Sequence, residues 1–326
     1  MFARILPQRV HSPLGPRTGS DHLINSALTL RTRDRKADLF VRQYDPIRRD
    51  NGRTLVVIHG AGEYGGRYTH FVERIVQSGW RVIAADLRGH GRSGGTPTHL
   101  DSFEQYLEDL DLLWSHFQLA ADSTAIFAHS MGGLVAVRYH QTRPERMRAL
   151  VLSAPLLALR VRVRLFKRAI GKVCHLVAPT TRFQTVVRTS DLTRNATARS
   201  GRARDALVRR SVTAGWFYSV RRALLESLRD ADRVGLPLLL LQGDEDKIVD
   251  PHWPAEWINR ISSSDCTLRM LPGHYHELIN EPGWDRIADE ILEWLEQRFS
   301  GVLRFPAENV EVAPVSMPAP GNRSAA

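Results

Sequence analysis

Short runs of this chain are apolar without interruption, and stretches with helical spacing lie between them. Thr54-Leu-Val-Val-Ile58 is continuous and β-branched, the mark of a strand buried on both faces. Trp80 to Asp86, Thr124 to Ala128, Ala149 to Ser153 and Leu236 to Gln242 repeat that signal, and Thr267 to Leu271 adds a further strand. Ahead of them, residues 25–32 and 38–44 alternate with period two and read as a strand pair joined by a charged turn. Helical patterns fall at about 67–78, 102–119, 132–142, 253–262 and 283–299. Strand and helix alternating in this way predict an α/β fold with a mostly parallel eight-stranded sheet and helices on both faces.

The alternation breaks once. From about 156 to 235 there is no buried-strand run, only basic amphipathic stretches, which predict a helical insertion. The expected organisation is a loose tail over 1–22, a core over 23–155, the insertion over 156–235, the rest of the core over 236–300, and a disordered Pro/Ala/Ser-rich tail over 301–326.

At 326 residues with 43% hydrophobic and 25% charged side chains, the chain has material for a sizeable core. No apolar run approaches the length of about 18 residues that a membrane span needs. Pro7 cuts off Ile5-Leu6 before an h-region forms, so a secretory leader is not expected. Two cysteines, Cys174 and Cys266, make no disulfide framework and fit a reducing, cytoplasmic setting.

The net charge of +10 is unevenly placed. Residues 156–235 hold 18 basic and 5 acidic side chains, net +13, against +5 before them (20 and 15) and −8 after (7 and 15). Only Lys36, Lys167, Lys172 and Lys247 are lysine; the other 41 basic residues are arginine, a bias that GC-rich coding also produces.

Candidate chemistry gathers at the ends of the apolar runs. Thr124-Ala-Ile-Phe-Ala128 leads into His129-Ser130-Met131-Gly132-Gly133 and then a helical pattern. A strand, a sharp turn carrying serine and a helix make a nucleophile elbow, with the helix N-terminus favouring developing negative charge. Ala128 stands where Gly-x-Ser-x-Gly has its first glycine. A serine hydroxyl needs a base, itself oriented by a carboxylate, and in such folds these follow in the order Asp or Glu, then His. Asp244 and Asp246 follow the run Leu238–Gln242, and His274 and His276 follow Leu271. Spacing alone does not choose within either pair. A metal site finds no third ligand at a recognisable spacing.

The glycine-rich stretch from His59 to Gly66 follows the strand at 54–58. Its backbone N–H groups suit an oxyanion site. No Gly-Lys-Ser/Thr follows, which excludes a phosphate-cradling loop.

With these motifs assembled, the chain resembles the α/β-hydrolases of the monoacylglycerol lipase and lysophospholipase group. The resemblance rests on His59-Gly-Ala-Gly-Glu-Tyr-x-x-Arg-Tyr68, Asp86-Leu-Arg-Gly-His-Gly-Arg-Ser93, His129-Ser-Met-Gly-Gly133, Gly243-x-x-Asp246 and His276-Glu-Leu-Ile-Asn-Glu281, in the family's order over about residues 25–298. It implies an α/β-hydrolase fold in which Ser130 is the nucleophile, Asp246 the orienter and His276 the base. Ala61 and Met131 become backbone oxyanion donors, and no cofactor or metal is implied. Asp86 and His90 are expected to brace loops. Ala128 departs from the family pattern, as does His274 where a small residue is usual. The family's helical cap falls where the 156–235 insertion lies, and Asp205-Ala-Leu-Val208 resembles its Asp-Pro-Leu-Val.

The expected activity is a serine hydrolase cleaving a monoacylglycerol or similar lipid monoester. Alternatives on the same residues are a lysophospholipase, a thioesterase or small-ester carboxylesterase, and a non-catalytic lipid-binding relative. Serine at 130 excludes the aspartate-nucleophile chemistries, and no His-x-x-x-x-Asp acyltransferase motif is present. In the insertion, Val161, Leu165, Ala169, Val173 and Val177 recur every four residues. Arg160, Arg164, Lys167, Arg168 and Lys172 lie largely off that stripe. Either the stripe packs on the hydrolase body beneath a solvated basic face, or the helix rests on an anionic membrane surface. No nucleic-acid module accompanies the charge, and the sequence leaves the oligomeric state open.

Overall fold

Strand β3 (Thr54–Ile58) shows why the sheet is central: Val56 and Ile58 enter one hydrophobic core, while Leu55 and Val57 enter the other. The structure, a computed structural model, describes residues 23–46, 50–158 and 165–300. The expected tails at 1–22 and 301–326 lie outside the described residues. So do Arg160, Val161 and Arg164, and the side chains of 165–170.

In chain order the strands of the main sheet are β1 (Leu23–Arg31), β2 (Asp38–Pro46), β3, β4 (Arg81–Ala85), β5 (Thr124–His129) and β6 (Ala149–Ser153). After two short strands outside this sheet, β7 (Arg182–Gln184) and β8 (Ser211–Thr213), come β9 (Leu238–Gly243) and β10 (Cys266–Leu271). The eight strands are ordered β1-β2-β4-β3-β5-β6-β9-β10. The β1–β2 and β2–β4 pairs are antiparallel and the rest are parallel. The expected fold class is therefore observed.

Helices cover both faces. On one lie α2 (Glu104–Phe117) and α3 (Met131–Thr142), which bury Leu107, Leu110, Trp114, Leu134 and Tyr139. On the other lie α1 (Thr69–Gln77) and α8 (Trp284–Phe299), which bury Phe71, Ile75, Ile287, Ile291 and Phe299. Helix α7 (Trp253–Ile258) is shorter than the pattern predicts, ending at Ile258 instead of running to 262.

Between β6 and β9 in chain order come α4 (Leu165–Val177), β7, α5 (Ala196–Arg204), β8 and α6 (Ala214–Arg229). Strands β7 and β8 pair antiparallel, an addition to the expected all-helical segment. Three residues each are too few to show period-two patterning. Helix α6 joins the first core through Trp216, Val220 and Ala223. In α4 the stripe does not pack on the body where it is described: Val173 is 59% exposed and Val177 is 77% exposed.

Candidate active site

Ser130 lies at the tip of the turn between β5 and α3, with φ 53° and ψ −117°. This is a left-handed conformation that a residue with a Cβ holds only under constraint. The constraint is visible. The Ser130 N–H donates to the Ser153 carbonyl at 3.0 Å, and its own carbonyl accepts from Leu156 N–H at 2.9 Å. The helix behind the turn runs close to β3, and a Cβ at position 132 would lie 2.5 Å from the Ile58 carbonyl oxygen, which glycine avoids. Position 128 makes no such demand: Ala128 is fully buried in the core.

Geometry separates the two members of each pair. His276 Nε2 lies 2.9 Å from Ser130 Oγ and accepts a hydrogen bond from it, while His276 Nδ1–H donates to Asp246 Oδ2 at 2.7 Å. Asp246 is held by the Ile248 and Val249 N–H groups at 2.7 and 3.0 Å and by Gln242 Nε2 at 3.1 Å. Asp244 instead accepts from Gly273 N–H at 2.6 Å and caps the neighbouring loop. His274 donates to the Pro272 carbonyl at 2.8 Å and does not join Ser130.

Burial draws the His276 imidazolium pKa down, but Asp246, with Glu277 and Glu63 behind it, outweighs this and leaves the ring above the ordinary histidine value. Burial pushes the Asp246 carboxyl up, and His276 with the two amides draws it below the ordinary carboxylate value. Asp246 thus favours the carboxylate and His276 is a stronger base than free histidine. His129, whose ring centre is 4.8 Å from that of His276, is driven down to about 4 by burial and by its neighbour, so it stays neutral.

Ala61 lines a cavity of about 120 Å³ together with Ser130 and His276. Met131 is the first residue of α3, where helix N–H groups lack intrahelical partners. Asp86 braces its surroundings, as expected: it accepts from Arg42 Nη1 at 2.6 Å, Gly65 N–H at 2.9 Å and Arg92 N–H at 2.9 Å. His90 is buried and donates to the Arg88 carbonyl at 3.0 Å. Among the described residues no group of three or more His, Cys, Asp or Glu is placed to hold a metal ion.

Sequence reasoning overlooked the charged cluster beside the relay. Glu63 and Glu277 are buried, and Arg67 reaches both, at 3.2 and 2.9 Å. Arg202, from α5, lies 3.0 Å from Glu277 and 3.8 Å from Glu63. The four-residue spacing of Glu63 and Arg67 was a readable signal. Arg202 carried none among so many arginines.

Comparison with known proteins fits this geometry. The family model described as serine aminopeptidase, S33, matches residues 50–283. A phospholipase of Bacillus subtilis, YtpA, is 30% identical over 230 residues, covering 70% of this chain and 89% of the relative. The human monoglyceride lipase is 30% identical over 266 residues, covering 80% and 87%. The crystal structure of Paleococcus ferrophilus monoacylglycerol lipase superposes with a TM-score of 0.74 at 29% identity, covering 80% of this chain and 99% of that one. The chain belongs to this family of α/β-hydrolases, in the group that holds the monoacylglycerol lipases, and it is an ester hydrolase.

Proposed function

We propose that Ser130, His276 and Asp246 act as a catalytic triad that hydrolyses the carboxylic ester of a monoacylglycerol or similar lipid monoester through an acyl-enzyme. The observation that carries this reading is the continuous relay from Ser130 Oγ through His276 to Asp246, at 2.9 and 2.7 Å, on the wall of a cavity. Ser130 Oγ attacks the ester carbonyl carbon as its proton passes to His276 Nε2. The Ala61 and Met131 N–H groups hold the oxyanion, a contribution of about 3–4 kcal/mol per donor. The carbon–oxygen bond to the alcohol breaks, and that oxygen takes the proton from His276. Water then gives a proton to His276 and attacks the acyl carbon, and Ser130 leaves with that proton while the fatty acid is released.

We read residues 156–235 as a cap over this site. Val187, Leu192, Val208 and Val212 line the cavity from that segment, and Ile248 lines it from the loop after β9. About 120 Å³ is below the roughly 300 Å³ of the smallest ordinary ligand sites. A long acyl chain therefore extends beyond it or displaces these lining side chains.

A lysophospholipid is the second reading. Arg209 and Arg210 also line the cavity, and Arg209 Nε is buried without a hydrogen-bond partner among the described residues. A phosphate head group supplies an acceptor and opposite charge. The apolar exposure of Val173, Leu176 and Val177 on α4, within the net +13 segment, supports peripheral contact with an anionic membrane face in the cytoplasm. No helix among the described residues is long and apolar enough to cross a membrane.

Labelling with a fluorophosphonate tests the triad. The expected result is an adduct on Ser130 that abolishes ester turnover in proportion to labelling. Turnover that survives complete labelling overturns it. Parallel assays of fatty-acid release from monoacylglycerol and lysophosphatidate separate the two substrate readings.

A further inference from the structure

Glu277 directly follows His276 and is buried with Glu63, so two carboxylates sit behind the base. Glu63 also holds the glycine-rich loop: its Oε1 accepts from Gly60 N–H at 2.7 Å and from Tyr68 O–H at 2.6 Å. The body of the protein supplies one cation to this pair, Arg67. Its Nε donates to Glu63 at 3.2 Å and its Nη2 to Glu277 at 2.9 Å. Two carboxylates and one guanidinium leave a buried net charge of −1.

The missing positive charge comes from α5. Arg202 Nη1 donates to Glu277 Oε1 at 3.0 Å and lies 3.8 Å from Glu63 Oε2. Its side chain is only 11% exposed, and it lines the same cavity as Ser130. We propose that Arg202 is a positioning residue of the reaction: docked from α5, it completes a neutral cluster of two carboxylates and two guanidiniums that fixes the His276 loop against the Gly60 loop and keeps His276 available as a base. This rests on the triad reading above.

The physical reason is charge balance in a dry environment. Removing one partner of a buried ion pair leaves an uncompensated charge, the costly case. Here the charge left behind is negative and next to an imidazole, so it favours the imidazolium, which cannot accept the Ser130 proton. The groups already facing His276 do not cancel it. Asp246 adds negative charge beside the ring it hydrogen-bonds. Glu277 and Glu63 both act to raise the ring. His129 stays neutral, and Tyr275 is engaged with Lys247 at 2.8 Å. Arg209 and Arg210 line the cavity but make no ion pair with either carboxylate among the described residues.

The geometry also ties the base to the placement of α5. Movement of α5 away from the body separates Arg202 from Glu277, so the ring is kept free to take the Ser130 proton only with α5 docked.

The test is the pH dependence of kcat/KM on p-nitrophenyl butyrate, a soluble ester. Arg202→Met is expected to move the acid limb up by about one pH unit, a roughly tenfold loss of rate below the limb. Arg202→Lys is expected to restore the limb. Glu277→Gln with Arg202 intact is expected to move it down, since the cluster then carries +1. The double variant, Arg202→Met with Glu277→Gln, is expected to return close to the parent without any Arg202 contact.

An unmoved limb in Glu277→Gln overturns the proposal even if Arg202→Met fails to fold. A double variant that stays as far displaced as Arg202→Met overturns the charge argument. A parent that neither turns over the ester nor takes a fluorophosphonate on Ser130 overturns the triad reading and this inference with it. An active, labelled parent with unmoved limbs overturns this inference alone.

Discussion

Gly243 lies against the backbone of His274 so closely that a Cβ there would sit 2.3 Å from the His274 carbonyl oxygen and 2.6 Å from that of Tyr275. The loop carrying Asp246 and the loop carrying His276 are set at their hydrogen-bonding distance by this approach. Gly243→Ala is expected to push the loops apart, lowering stability by about 1–3 kcal/mol as overpacking does. It should lower kcat beyond what stability explains. Denaturant unfolding together with kcat at a temperature where the variant stays folded checks both.

The Asp246–His276 pair sets the pH behaviour. Because Asp246 raises the His276 pKa above the ordinary histidine value, the acid limb of kcat/KM should lie above about 6.5. Asp246→Asn removes the raising charge and frees the imidazole tautomer. Its expected cost is about 10⁴-fold in kcat, with the limb moving to lower pH. A pH–rate profile of both proteins decides this.

Acid should destabilise the fold through histidines buried as neutral rings. His129 and His140 are held at about 4 and His90 at about 3, each chiefly by burial. An unfolded histidine takes up its proton near 6.5. The unfolded chain therefore binds more protons as pH falls from about 6.5 to 4. Stability from these groups is fully present above about 6.5 and is lost through that window. Urea midpoints should fall by pH 5, and less so in His140→Leu, since His140 Nδ1 has no hydrogen-bond partner among the described residues.

The exposed apolar end of α4 makes a separate prediction. Leu176→Asp with Val177→Asp should weaken sedimentation with anionic vesicles several-fold. Turnover of a soluble ester should change far less. Equal vesicle binding by parent and variant would remove α4 from the lipid contact.

Much of the fold was legible because a parallel sheet covered on both faces leaves continuous apolar runs, as in Leu238 to Gln242. The elbow was legible too, since a serine between a buried strand and Gly132-Gly133 has few other uses. The choice of Asp246 over Asp244, and of His276 over His274, came from family resemblance and not from spacing. Those choices are made by loop backbone, such as the amides of Ile248 and Val249 that hold Asp246. Strands β7 and β8 were too short to leave a pattern. Arg202 was hidden by composition, since one functional arginine looks like its 17 basic neighbours in the segment until Glu277 and Glu63 are found beside it.

Fatty-acid release from a monoacylglycerol, with Ser130→Ala as the blank, is the decisive measurement of whether Ser130 is the nucleophile. The parent is expected to release fatty acid and Ser130→Ala to lose about 10⁶-fold in rate, with the variant folded as judged by an unchanged unfolding midpoint. Comparable release by folded Ser130→Ala would contradict it.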